Sequence, residues 1–424
     1  MGRPLRATRL RILLTALVFG AGPALGQVTA LLAGTVLDPS SGEQRRNQVI
    51  LVEGGRIKEI GPAVRVPADA TRIDLTSETV LPGLIDAHTH LLGTVDPKWD
   101  LGDFWIMALQ RRAGYRVAQG VRHAKEMLES GFTTVRDVGN AGDYLDADLD
   151  KAIRFGVVPG PTMIYAGIIL APFGGQFWDT PADRKLLDNP EYRFADSRDE
   201  MRKAIRENVY WGARVIKIVV DGQKYSYSAD DIRFIVEEAR RAGVPVAAHV
   251  QTGRGAKAAI EAGVASIEHA WEASDEDFEL AKKNHVALVS TDFTAEALVA
   301  NGMDPAAARQ AHARYVARLK RAWQAGVTVV FGTDLMVEMK GKTRGQAALD
   351  YIDSFREAGV SALDTLRAMT NRAAELLGVA AERSVLQSGM SADLIATPVN
   401  PATDINGLKS IDFVMKNGEI YRHR

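Results

Sequence analysis

The chain has 424 residues, 46% of them hydrophobic, no cysteine and a formal charge of −1. That length suits one large α/β barrel or two to three ordinary domains, with enough apolar content for a sizeable core. The balanced charge argues against a nucleic-acid partner, and the lack of cysteine excludes disulfides and a lipid-modified cysteine.

Arg3, Arg6, Arg9 and Arg11 precede an apolar run over 12–19, then Gly20 and Gly22. Ala24, Leu25 and Gly26 have the small-x-small form of a signal-peptidase site. Residues 1–26 are therefore expected to be a signal peptide, cut before Gln27. The rival reading, a membrane anchor, is disfavoured because the run is too short to span a bilayer. Removing four Arg and no acid leaves a charge of −5. A bacterial periplasmic or secreted protein is expected, without membrane attachment after cleavage.

Residues 27–80 read as short strands: one from Gly34, one over 48–53 with a hairpin turn at Gly54-Gly55, and one from Arg56. Residues 385–424 look similar, with strands from Ala392 and Phe413 and a turn at Asn417-Gly418. The two ends are expected to pair into one β-sandwich domain. Between them, residues 81–384 alternate strands and helices. The strands are continuous apolar runs, as expected when both faces are covered. They start near Leu81, Phe132, Thr162, Val215, Val244, Ser266, Val286 and Val327. Helix signals stand between them: Ser197 with Glu200, Ser228 with Asp231, Ala256 to Ala262 ending at Gly263, and Ser361 with Asp364. The fold class is α/β, a (β/α)₈ TIM barrel with a small β-sandwich domain built from both chain ends. Such barrels place their active sites at the C-terminal strand ends. Residues 171–195 hold three Pro and two Gly and read as an irregular loop, a candidate lid.

Six residues fall at or inside the ends of these strands: His88, His90, Lys217, His249, His269 and Asp334. His88 and His90 are two apart, so on a strand both imidazoles face one way and can share a metal ion. Lys217 lies inside an apolar strand, where an unpaired ammonium is costly. It reads either as an ion pair or as an amine converted by CO₂ to a carbamate, an anionic bridge among neutral histidines. Asp334 reads either as a helix cap or as a carboxylate that binds metal and accepts a proton. His123, His285, His312 and His423 read as structural or surface residues.

These residues resemble the amidohydrolase superfamily, in its imidazolonepropionase-like, Xaa-Pro dipeptidase-related branch of binuclear-metal enzymes. The resemblance rests on Gly83-Leu-Ile-Asp-Ala-His-Thr-His, Gly131-Phe-Thr-Thr-Val-Arg-Asp-Val-Gly, Ile216-Lys-Ile, Val246-Ala-Ala-His, Ser266-Ile-Glu-His and Phe331-Gly-Thr-Asp. It extends to Gly389-Met-Ser-Ala-Asp-Leu and Val414-Met-Lys-Asn-Gly, and so from about residue 30 onward. It implies two divalent metal ions, zinc by default. His88, His90 and Asp334 would hold the more buried one and His249 and His269 the other, with carboxylated Lys217 between them. It implies hydrolysis of the amide bond of a dipeptide or N-acyl amino acid by a metal-bridging hydroxide, with Asp334 moving the proton to the leaving amine. Lactones, cyclic amides and phosphotriesters are rival substrates, because the same chemistry attacks them. A non-catalytic metal- or solute-binding barrel is disfavoured by the complete ligand set. Homo-oligomers, octamers among them, are also implied.

Two departures bear on substrate. Many dipeptidase relatives carry Tyr two residues after the fifth-strand His, where this chain has Gln251, and the loop from Lys217 to His249 looks short. Ala171-Pro-Phe-Gly-Gly-Gln-Phe is similar to a stretch of bacterial amidohydrolases that split the phenylalanine amide of ochratoxin. Candidate substrate contacts at the rim are Arg136, Asn140, Gln176, Tyr225, Tyr227 and Gln251, with Lys224, Lys342 and Arg344 as further cations suited to a carboxylate.

Overall fold

The computed structural model describes residues 28–139, 142–176, 191–222 and 225–424. The expected signal peptide, Asn140, Lys224 and most of the candidate lid lie outside these residues. Among the described residues, no helix is long and apolar enough to cross a membrane.

Four strands open the chain: β1 (Thr29–Leu37), β2 (Gln44–Glu53), β3 (Arg56–Gly61) and β4 (Thr71–Pro82). Ten follow in the α/β region: β5 (Leu84–Thr89), β6 (Phe132–Asp137), β7 (Thr162–Tyr165), β8 (Ile169–Ala171), β9 (Tyr192–Phe194), β10 (Ile216–Val219), β11 (Val246–Val250), β12 (Ser266–His269), β13 (Ala287–Ser290) and β14 (Val329–Phe331). The last three are β15 (Leu394–Thr397), β16 (Phe413–Lys416) and β17 (Glu419–His423).

The two ends of the chain meet in one seven-stranded sheet, ordered β17-β16-β15-β4-β1-β2-β3. Its seam is antiparallel, Leu81 opposite Ile395. Leu31, Ile50, Val80, Leu394 and Phe413 form a core of its own on this sheet. In hydrogen bonding the expected sandwich is one continuous sheet. β4 then runs into β5 through Gly83, whose N–H donates to the Asp393 carbonyl at 3.1 Å. A Cβ at Gly83 would sit 2.2 Å from Thr133 Oγ1, so only glycine lets the strand pass there.

The eight apolar runs all form strands, in two parallel sheets. One is β5-β6-β7 and the other β14-β13-β12-β11-β10-β8-β9. Backbone hydrogen bonds join their flanks: Asp334 N–H to His88 O at 2.8 Å and Arg214 N–H to Tyr165 O at 2.9 Å. The expected irregular loop is corrected in part. Tyr192–Phe194 is a strand, paired with Ile169–Ala171. Three residues carry no legible period of their own, so the neighbouring strand, not local propensity, fixes them.

The helix signals hold. Ser197 and Ser228 each close a capping box with Glu200 and Asp231. Gly263 ends its helix in the left-handed conformation that favours glycine.

Lys416, on β16, is buried and donates Nζ to Gly160 O at 2.8 Å. Burial pushes its amine down from 10.5 to about 8. Below pH 8 the amine is charged in both folded and unfolded chains, so the full cost of burying a charge is present. Between those values the unfolded chain holds more protons, and stability rises with pH. Above 10.5 the cost is gone. Lys416→Met is expected to stabilise the fold at pH 7 by up to about 3 kcal/mol and to flatten that rise. Urea melts at pH 7 and pH 10 check this; a variant weaker than wild type at pH 7 rejects it.

Candidate metal centre

Strand geometry brings the six expected residues to one cavity of about 360 Å³, lined by His88, His90, Lys217, His249, His269 and Asp334. Residues i and i+2 of a strand share a face, so His88 and His90 project together from the end of β5. Lys217 pairs in register with Ala247, two residues short of His249. Its amine therefore starts one layer deeper, and its four-carbon stem carries it up to the histidines.

His269 breaks the alternation. Ser266 and Glu268 share a face, since Ser266 Oγ donates to Glu268 Oε1 at 2.5 Å. A regular strand would turn His269 to the other side. Its φ of 66° is left-handed and swings the imidazole back towards the cavity. Asp334 has φ 53°, a conformation Asp tolerates better than most residues. Such backbone costs about 1 kcal/mol at each position and collects at functional sites.

The cluster is tight. His90 Nε2 lies 3.1 Å from Asp334 Oδ1, His88 Nε2 lies 3.6 Å from it, and His269 Nδ1 lies 3.8 Å from Asp334 Oδ2. His88, His269 and Asp334 each offer a ligand atom, all within 4.8 Å of one another. The other ring nitrogen of His88 is 2.7 Å from Glu268 Oε2, and His90 Nδ1 is 2.8 Å from Gly139 O. Burial pushes His88 and His269 well below the usual histidine range and His249 down to about 3. All three are neutral at pH 7, the form that binds metal. Burial also lowers the Lys217 amine to about 8, so part of it is uncharged near neutrality. Neutral imidazoles beside a carboxylate suit a divalent ion.

The rim differs from expectation. Gln176 and Gln251 line the cavity. Gln176 Nε2 is 3.3 Å from His249 Nε2, and its carbonyl accepts the Tyr192 hydroxyl. Arg136 does not reach the rim: it is buried, with Nη2 at 2.8 Å from both Glu268 oxygens. Tyr227 is buried and donates to Ala195 O at 2.8 Å. Arg344 is buried on the carbonyls of Leu335 and Gly93, and Lys342 is paired with Glu296 and Asp350. Tyr225 is exposed and lies outside the cavity lining. Arg136, Tyr227 and Arg344 are thus corrected, because local sequence reveals neither depth nor partner, while Tyr225 and Lys342 lie outside the cavity lining. Sequence reasoning missed Glu268 and the cavity walls Phe104, Trp271 and Met336. Glu268 had a signal: a lone acid inside an apolar strand, one residue before a candidate ligand.

Gly332 sets the approach of β14 to β5. A Cβ there would lie 2.5 Å from Val289 Cγ1 and 2.8 Å from His88 Cβ. Gly332→Ala is expected to cut turnover by about 10²-fold, because displacing reacting groups by 1 Å costs that much. Turnover beside far-UV circular dichroism checks it. An unchanged kcat would mean that the strands part without disturbing Asp334.

Parallel α/β sheets with such a cluster at their strand ends fit a divalent-metal enzyme. The chain belongs to the Amidohydrolase family, whose profile matches residues 79–421. Ochratoxinase of Aspergillus niger is 29% identical over 93% of this chain and 87% of its own length. A solved Xaa-Pro dipeptidase with methionine in its active site is 28% identical, with a TM-score of 0.82 over 93% of this chain and all of the other. The ochratoxinase crystal structure superposes with a TM-score of 0.79 at 26% identity, over 94% and 96% of the two chains.

Proposed function

We propose that the protein hydrolyses the amide bond of a dipeptide or N-acyl amino acid at a centre of two divalent ions. The observation that carries this is the convergence of four buried imidazoles, Lys217 and Asp334 on one cavity. His88, His90 and Asp334 would hold one ion and His249 and His269 the other, with Lys217, once carboxylated by CO₂, as a further ligand. Zinc is the default metal. Divalent ions held there would lower the pKa of water from about 16 to roughly 7 and polarise a carbonyl oxygen. Asp334 accepts the proton at its carboxylate and delivers it to the leaving nitrogen. Gln176 and Gln251 orient the substrate from the rim.

A second reading, an N-acyl-phenylalanine amide of the ochratoxin type, draws on the aromatic walls Phe104 and Trp271 and on the likeness to ochratoxinase. We further read the two parallel sheets as arcs of one closed barrel over 81–384 and the terminal sheet as a separate domain. The chain is read as exported and as a homo-oligomer.

The test is elemental analysis of the purified protein with hydrolysis of a panel of Xaa-Pro, Xaa-Arg and N-acyl-Phe amides. About two ions per chain with amide turnover supports the reading and ranks the substrates. Two ions without amide turnover moves it to lactones or phosphotriesters. Active protein without metal rejects it.

A further inference from the structure

Beneath His88 lies a buried ionic unit drawn from three strands. Glu268, on β12, is fully buried and His88 is 1% exposed. Glu268 Oε2 lies 2.7 Å from His88 Nδ1. Arg136, on β6, donates from Nη2 to both carboxylate oxygens at 2.8 Å. Its Nε donates to Ala87 O at 2.5 Å, on the residue before His88, and its Nη1 donates to Ser266 Oγ at 3.0 Å. Every oxygen of the carboxylate is thus engaged, and the guanidinium also grips the backbone beside the histidine it serves.

We propose that Glu268, clamped by Arg136, is the positioning residue of the centre: it fixes the proton of His88 on Nδ1 and turns Nε2 towards Asp334 as a lone-pair donor. The tautomer follows from donor chemistry. A carboxylate paired with arginine only accepts, so its short contact with Nδ1 requires the proton there. The partner of His269 imposes no such choice, because Thr291 Oγ1, at 2.6 Å from its Nδ1, can donate or accept. A carboxylate behind a ligating imidazole also raises its basicity, and loss of such a partner typically costs 10–100-fold in metal affinity. The tautomer stands on geometry alone; its consequence for metal rests on the proposed metal centre. A bare internal ion pair would stabilise the fold without affecting either.

The test uses the full chain labelled with ¹⁵N-histidine and stripped of metal. Two-bond proton–nitrogen correlation, with His88 assigned by its loss in His88→Asn, should show Nδ1 protonated and Nε2 bare. In Glu268→Gln the signals should shift to a mixture of tautomers. Zinc affinity, by chelator competition, should fall about 10–100-fold in Glu268→Gln. The double variant Arg136→Met/Glu268→Gln leaves no lone buried charge and serves where the single variant does not fold. It should lose as much affinity. A wild-type ring protonated on Nε2 overturns the proposal whatever the metal does. Wild-type zinc affinity in the folded double variant overturns it too, reducing the pair to an internal ion pair. Failure of the metal centre itself looks different: wild-type protein that binds no zinc while His88 still carries its proton on Nδ1.

Discussion

Asp334→Asn is expected to lower turnover by about 10²–10⁴-fold, the range of a lost general base, and to leave the fold intact. Asparagine matches the shape of aspartate and tolerates left-handed backbone, so φ of 53° stays available. The hydrogen bond from the Asp334 N–H to His88 O, which ties the residue to β5, involves no side-chain atom and survives. What disappears is the charged oxygen 3.1 Å from His90 Nε2, and with it the acceptor for a proton. The check is kcat beside metal content and melting temperature. A folded, metal-loaded variant with near-wild-type kcat removes Asp334 from the proton path.

The second large effect is at Lys217. Lys217→Met is expected to lose bound metal and at least about 10²-fold in turnover, because an anionic bridge should matter more than the outer partners whose loss costs 10–100-fold. The metal-free variant should fold at least as well as metal-free wild type, since methionine fills the volume without a buried amine. In the proposed carboxylation the amine must be neutral to attack CO₂, forming a carbamate and releasing a proton. Burial lowers this amine to about 8. Metal loading of stripped wild type should therefore rise with added bicarbonate and with pH up to about 8, while the methionine variant responds to neither. Metal-binding assays in CO₂-free and bicarbonate buffers decide it. Equal loading in both buffers rejects the carbamate.

The parts of the site that rest on strand periodicity were legible in the sequence. His88 and His90 two apart, a lysine inside Val215-Ile-Lys-Ile, and a histidine or aspartate at the end of an apolar run each follow from alternation and burial. The rim was not legible. Arg136 looked like a cation near a strand end, but its partner Glu268 lies on a strand four places further along the set of eight runs. Nothing local announces that meeting. His269 reached the cavity for a reason the strand pattern alone would forbid, a left-handed turn at the residue itself. The strands at Ile169–Ala171 and Tyr192–Phe194 are three residues each and take their conformation from each other and from β10.

The seam between β4 and β15 also has a history in time. Leu81 leaves the ribosome 314 residues (395 − 81) ahead of its partner Ile395. At about 5–20 residues per second, β4 waits on the order of tens of seconds with one edge unpaired. An open edge of that kind is a template for joining another chain. Whether the chain folds at the ribosome or after export, this sheet stays unfinished until β15 arrives. The nascent protein would need shielding over that interval, and any pause late in translation would prolong its exposure to aggregation.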